Sequence, residues 1–310
     1  MIVSQQDART PAVSVVIGLV STVDRDRILE TLAFLHEAQG DIACEVILGD
    51  RRQDKVSARI RQLYPQVVLI DCPPATTLPV LRTLAYEQSR APIVAVTEDH
   101  CVPSAGWLAE IIKGFEEGGD NVVAVGGAVI NGITDTSFDW ANFICEYGVF
   151  SPPVAEGPSP LVPGMNVAYR RSALESVPRE RLTEGFWETT VHPILLERGQ
   201  ALVSRNGMRL CHCKRFTKAL FYNQRWVYSR YYAGLRFPRN QLVKRMVASA
   251  ASVILPPILL LRLFQAAMRK GLAGKMLMAF PTLCVLVVVW AAGEIWGYVF
   301  GPGDALAQLE

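Results

Sequence analysis

The chain is 310 residues long, half of them hydrophobic, with a formal net charge of +2. That length accommodates one large domain or two smaller ones. The composition excludes intrinsic disorder, collagen, a coiled coil and a small disulfide scaffold. A mean hydropathy of +0.22 is high for a soluble protein and turns attention to membrane segments.

Met1 to Pro11 is polar and has no apolar core of the kind a secretory leader carries, which leaves the bulk of the chain in the cytoplasm. Residues 12–20 form an apolar, β-branched run, read as a buried strand. Ile28, Leu29, Leu32 and Leu35 share one face of a following helix. Residues 44–49 form a second strand ending at Asp50, and Val56, Ile60 and Leu63 share a helix face. Residues 67–70 form a third strand, 78–87 a helix and 93–96 a fourth strand that runs into Glu98-Asp99-His100. A helix over 107–115 and a fifth strand over 122–130 follow. This alternation predicts a mostly parallel sheet with helices on both faces, in which ligands bind at the carboxyl ends of the strands. Residues 131–163 show no periodicity and read as a long loop.

The small net charge hides an asymmetry. Residues 1–213 carry a balance of −8 and residues 214–310 a balance of +10. Residues 214–245 hold nine basic residues, no acidic ones and eight aromatics, read as interfacial helices. Two apolar segments follow within 246–300. A membrane explains this order better than nucleic acid does, since basic and aromatic side chains sit at headgroup level and apolar segments enter the hydrocarbon. The second apolar segment is long enough to cross. The first carries Pro256-Pro257 and is read as re-entrant, with a two-helix hairpin as the alternative. Residues 301–310 form a tail.

Seven dispersed cysteines fit a reducing compartment. On a strand, Cys211-His212-Cys213 would place both sulfurs on one face, but two thiolates alone make a poor zinc site. No G-x-G-x-x-G follows the first strand, and no phosphate-binding P-loop is present. Glu98, Asp99 and His100 are three consecutive potential ligands at a strand end. Carboxylates with an imidazole suit Mg2+ or Mn2+ on a diphosphate, and a solvated turn is the plain alternative. Glu188 fits either a general base or an acidic first turn of a helix. His192, one turn later, and His212 read first as structural histidines.

The order of these motifs resembles glycosyltransferase family 2, the inverting enzymes with a GT-A fold, over about residues 12–213. Residues 13–17 (VSVVI) resemble the opening strand of that family. Residues 44–50 (CEVILGD) with Asp54 resemble its nucleotide-binding strand, and Arg82 lies where a basic residue often precedes the metal strand. Residues 93–108 (IVAVTEDHCVPSAGWL) resemble its Asp-x-Asp segment, 164–171 (GMNVAYRR) its acceptor-side segment, and 187–199 (WETTVHPILLERG) its acidic pair, helix and glycine. Two departures stand out: the Asp-x-Asp is here Glu98-x-His100, and the acidic pair is Trp187-Glu188. Residues 223–226 (NQRW) resemble the Gln-x-x-Arg-Trp motif of processive synthases, but Tyr222 holds the Gln position.

The resemblance implies a GT-A catalytic domain over 1–213 in a bacterial-type, membrane-anchored member. Glu188 would be the catalytic base, and Asp50, Asp54, Arg82, Asp99 and Asn166 would hold a nucleoside-diphosphate sugar. Glu98, Asp99 and His100 would hold the divalent metal. Arg215 and Lys218 would clamp the diphosphate or bind lipid headgroups. The implied partners are a lipid-linked or glycan acceptor and membrane lipids at the cytoplasmic face of the inner or plasma membrane, with oligomeric state left open. Two other functions compete. One is a silent glycosyltransferase-like subunit that scaffolds polysaccharide assembly, motivated by the two departures. The other is a GT-A-like nucleotidyltransferase, which would need a Gly-rich basic loop that residues 21–24 (STVD) do not supply.

Overall fold

The computed structural model describes residues 10–37 and 42–310, so the reading of Met1 to Pro11 as leaderless falls largely outside the described residues. Among these residues nine strands form one sheet: β1 (Val13–Leu19), β2 (Cys44–Asp50), β3 (Val68–Asp71), β4 (Ile93–Glu98), β5 (Cys101–Pro103), β6 (Val122–Asn131), β7 (Gly157–Pro158), β8 (Val167–Arg170) and β9 (Ala201–His212). Their order is β3-β2-β1-β4-β8-β6-β9-β5, with β7 paired to β9. β1 runs parallel to β2 and β4, and β2 parallel to β3. β8 is antiparallel to both neighbours, β4 and β6, so β4 and β6 point the same way. β6 and β9 also run in one direction: the Ala201 N–H donates to the Asn121 carbonyl at their starts, and the Gly132 N–H to the His212 carbonyl at their ends. The sheet is mostly parallel, as the alternation of elements implies.

Among the described residues twelve α-helices accompany it: α1 (Arg27–Glu37), α2 (Lys55–Leu63), α3 (Leu78–Gln88), α4 (Trp107–Gly118), α5 (Ser137–Glu146), α6 (Arg171–Glu175), α7 (Arg179–Glu184), α8 (Glu188–Glu197), α9 (Lys218–Arg236), α10 (Leu242–Ala251), α11 (Leu255–Arg269) and α12 (Ala273–Phe300). Contacts divide the chain into two compact units. The first runs to Val20 and takes Arg25–Ala128 and Val154–Cys211; the second takes Ser21–Asp24, Val129–Pro153 and His212–Glu310.

In the first unit, alternate strand residues enter opposite layers, as the two-residue period of a strand requires. Val13, Val15, Ile17 and Leu19 of β1 pack with Ile28 and Leu32 of α1 and Trp107 and Ile111 of α4. Val16 of β1 and Ile47 of β2 face the other way, toward Ala85 of α3, Leu182 of α7 and Val191 and Leu195 of α8. Helices therefore cover both faces, and the near-continuous apolar strands suit a sheet buried on both sides.

The second unit corrects the expectation of a long loop over residues 131–163. That stretch contains α5, started by a capping box in which Thr136 and Asp139 satisfy each other's backbone N–H groups. Phe138, Ala141 and Ile144 of α5 join Phe221 of α9, Ala267 of α11 and Leu283 and Leu286 of α12 in one apolar cluster. Pro256 and Pro257 do not interrupt the following helix. They sit in the first turn of α11, where a missing N–H leaves no bond unmade. The segments Leu242–Arg269 and Ala273–Phe300 are each 28 residues, and each contains an 18-residue stretch of high mean hydropathy, 2.0 in the first and 2.2 in the second.

Candidate active site

The first unit brings most of the expected residues to the carboxyl ends of β1, β2 and β4. Asp50 closes β2 and is fully buried. Its Oδ1 accepts the N–H groups of Arg52 (2.8 Å) and Gln53 (3.1 Å), a turn made by the side chain itself. Its buried Oδ2 has no hydrogen-bond partner among the described residues. A buried, unpaired carboxylate oxygen costs stability and points to a donor supplied by a ligand. Asp54 is differently engaged. It caps α2 by accepting from Val56 and Ser57, and it pairs with Arg25 and Arg52.

At the end of β4 the three consecutive residues separate into two roles. Asp99 is buried: its Oδ2 accepts the Val20 N–H at 2.9 Å and lies 3.5 Å from the Arg52 guanidinium, and its Oδ1 meets His100 Nδ1 at 3.0 Å. The other ring nitrogen, His100 Nε2, lies 3.1 Å from Glu98 Oε2. Cys101 Sγ falls within 4.8 Å of these Glu98 and His100 ligand atoms. A carboxylate behind one imidazole nitrogen, with the other nitrogen turned to a second carboxylate, is the arrangement that orients a metal-binding histidine. An imidazole and a thiol beside a carboxylate suit a first-row transition ion better than Mg2+. Cys101 was not singled out in the sequence; its place directly after His100 was the available signal.

Arg82 ties this corner to the start of α8. It is buried on α3, donates from Nη2 to Glu98 Oε1 at 3.1 Å and from Nη1 to the Phe186 carbonyl at 3.0 Å, and its Nε has no partner among the described residues. Phe186 lies two residues before Glu188, the first residue of α8. One guanidinium fork thus spaces the candidate metal carboxylate from the candidate base. Lysine has no fork. Arg82→Lys is expected to keep the fold and lower turnover by about tenfold or more, as a small misplacement of reacting groups does. Steady-state kinetics beside a melting curve checks this, and equal turnover would remove the positioning role.

The Glu188 carboxylate lies against Gly164, where a built Cβ would overlap its Oε2. Tyr169, on β8, is buried, and its hydroxyl meets His192 Nε2 of α8 at 2.9 Å. Burial pushes the Tyr169 hydroxyl well above its usual range, and the Glu188 charge adds to that shift. Burial lowers His192 to about 4, and its Nδ1 has no partner among the described residues. His192 is therefore a neutral support under α8. The sign of its effect on stability follows. Between about pH 6.5 and pH 4 the unfolded chain takes up a proton that the folded chain refuses, so stability falls on acidification by at most about 3 kcal/mol. Urea unfolding at pH 7 and pH 4 should show this loss reduced in His192→Gln; an unchanged loss would exclude His192 as its source.

Asn166 is buried and braces the fold. Its Oδ1 accepts from Trp107 Nε1 at 2.8 Å, and its Nδ2 donates to the Ala128 and Met208 carbonyls, each at 2.9 Å. Both amide hydrogens are thereby engaged within the protein. In the second unit, His212 ends β9 with its ring 4.8 Å from that of Tyr147, and Arg215 pairs with Asp135 at 2.8 Å.

No family model and no curated protein matches the chain. Solved structures do. A mannosyltransferase, PcManGT from Pyrobaculum calidifontis, in complex with GDP-Man and Mn2+, is similar with a TM-score of 0.54 and 16% identity, over 93% of this chain and 88% of that one. GalNAc-T7, with UDP, GalNAc and Mn2+, is similar with a TM-score of 0.51 and 16% identity, over 68% of this chain and 45% of that one. The fold is GT-A.

Proposed function

We propose that the chain is a membrane-associated inverting glycosyltransferase. It moves a sugar from a nucleoside-diphosphate donor to a lipid-linked or glycan acceptor, at the cytoplasmic face of a membrane that its apolar C-terminal helices engage. The observation that carries this reading is the Arg82 bridge, which joins the Glu98–His100 corner to the start of α8 within a GT-A fold. Metal and nucleotide-sugar complexes among the structural neighbours support it.

In this reading Glu98 and His100 hold a divalent ion, with Cys101 beside them. Asp99 orients the His100 ring and fixes its tautomer. The bound ion supplies Lewis-acid stabilisation of the leaving diphosphate. Asp50 offers its unpaired Oδ2 to the nucleobase, and Arg52 and Arg82 add positive charge to the donor side. Asp54 acts by holding α2 and Arg52, and Asn166 by holding β8 and β9 together. Glu188 accepts the proton of the acceptor hydroxyl as that oxygen attacks the anomeric carbon and the bond to the diphosphate breaks, which inverts the centre.

The test is a panel of uridine and guanosine diphosphate sugars offered to the full-length protein with Mn2+ or with EDTA. Metal-dependent transfer or donor hydrolysis is expected, and its loss with EDTA should be restored by Mn2+. Failure to bind any nucleotide in a metal-dependent way would sink the enzyme reading. It would leave the silent scaffolding subunit, which the internal engagement of Asp99 favours.

A further inference from the structure

The second unit carries an unusual amount of uncovered apolar surface. Of the 25 large apolar side chains exposed among the described residues, 18 fall within residues 242–300. α12 divides lengthwise. Met276, Ala279, Leu283, Leu286 and Tyr298 are buried along one side, while Leu277, Phe280, Val288, Trp296 and Phe300 are exposed along the other.

The buried side packs on α5 and α9 as well as on α11, through Phe138, Phe221 and Ala267. Charged residues of the same unit accompany it at both ends. Lys275 lies over Trp140 of α5. Arg225 of α9 lies 4.2 Å over Trp290 and pairs with Glu146. Arg236 donates to the Tyr298 hydroxyl at 3.0 Å, and the buried Arg245 to the Tyr298 carbonyl at 2.7 Å. Glu294 is itself buried in α12, bonded to Trp290 Nε1 and Ser252 Oγ. The stretch of α12 free of charged companions is therefore residues 276–289, fourteen residues or about 21 Å of helix. The charge-free stretch before it, 246–261, is sixteen residues or about 24 Å, bounded by Arg245 and Arg262. A bilayer core needs about 20 residues and 30 Å.

The charge pattern argues the same way. Arg236 and Arg239 precede the hairpin, Lys244 lies in its first turn, and Arg269, Lys270 and Lys275 mark the turn between its helices. Basic flanks stay on the cytoplasmic side. A crossing by α10–α11 would put the basic turn on the far side, and a crossing by α12 alone would carry away the chain after Phe300, whose Glu310 pairs with Lys214 and whose Gln308 carbonyl accepts from Gln224 of α9. A hairpin lying flat keeps everything on one side.

We propose that the α10–α11 and α12 hairpin lies in the plane of the membrane, its exposed apolar side in the headgroup–acyl boundary and its basic residues on anionic headgroups, and that neither segment crosses. The nine basic residues and eight aromatics of 214–245, with no acidic residue, are the charge complement that selects an anionic lipid surface as the occupant. The inference rests on the membrane association proposed above, and it replaces both the re-entrant and the spanning-hairpin readings.

The test places cysteines at the two ends of α12. Gly274→Cys adds a side chain where nothing lies within 4 Å, and Ala307→Cys is on the exposed tail. Sealed inverted membrane vesicles from expressing cells are treated with an impermeant maleimide, before and after detergent. Labelling is read peptide by peptide by mass spectrometry, so the native cysteines do not interfere. Equal labelling of both positions before detergent is expected. Protection of one position until detergent is added would overturn the in-plane arrangement, since both the re-entrant and the spanning-hairpin topologies predict it. Flotation of the purified protein with phosphatidylcholine–phosphatidylglycerol vesicles is a separate measurement. Absence from the floating fraction would remove the membrane reading itself.

Discussion

Replacing Glu188 by glutamine is expected to lower kcat about 10²- to 10⁴-fold while the donor KM changes little, because the amide cannot take a proton and the donor contacts remain. A stronger test leaves the carboxylate in place and moves it. Gly164 touches the Glu188 carboxylate so closely that a methyl group there would overlap Oε2. The overlapping atom is the end of a flexible side chain, and the Glu188 backbone nitrogen at 3.1 Å need yield only by a few tenths of an ångström, so Gly164→Ala should cost the fold little and rotate the carboxylate away from its position. Its kcat should fall toward that of Glu188→Gln, and the double variant should fall little further, since residues acting as one unit are not additive. Melting temperature measured beside kcat separates the outcomes. Full turnover in Gly164→Ala with an intact fold would show that the position of Glu188 does not matter.

Gly127→Ala is expected to destabilise the protein by upwards of about 3 kcal/mol, a large part of the stability of an ordinary domain. A Cβ on Gly127 would overlap the Met208 carbonyl oxygen on the neighbouring strand, and backbone on both sides cannot swing aside. The Gly127 N–H donates to the Asn166 carbonyl while the Asn166 side chain holds the Ala128 and Met208 carbonyls, so β6, β8 and β9 are clamped at one point. Forcing β6 from β9 breaks that clamp as well. Urea unfolding of the full-length protein provides the measurement; a midpoint within error of the parent would mean that the strands yield at this point.

Most of the first unit was legible because its strands are short apolar runs separated by amphipathic helices. Val13 to Leu19 and Ile93 to Glu98 stand out at once. The insertion of β8 between β4 and β6 was not, since four residues carry no information about which neighbours they pair with. α5 escaped notice because Phe138, Ala141 and Ile144 lie among polar residues, and only Thr136 with Asp139 marks its start. The site divides similarly. Asp50, Glu98 and His100 could be nominated from strand ends, whereas Arg82 and the base role of Glu188 came from the resemblance to glycosyltransferase family 2. That Arg82 joins Glu98 to the start of α8, that Asp99 stands behind His100, and that Asn166 is a brace all depend on tertiary packing. Tyr169 and His192 are 23 residues apart and meet only because β8 lies under α8.

The second unit is assembled from three separate stretches of chain, and this bears on how a water-soluble form could be obtained. Ending the protein after Cys213 removes Phe221, Ala267, Leu283 and Leu286 but leaves behind α5, whose Phe138, Ala141 and Ile144 they cover. The shortened protein would carry a newly bared apolar helix in the middle of its sequence, a liability for aggregation. Solubility is better sought by exchanging outward-facing residues such as Val243, Val247 and Leu277 for polar ones, with the chain kept whole.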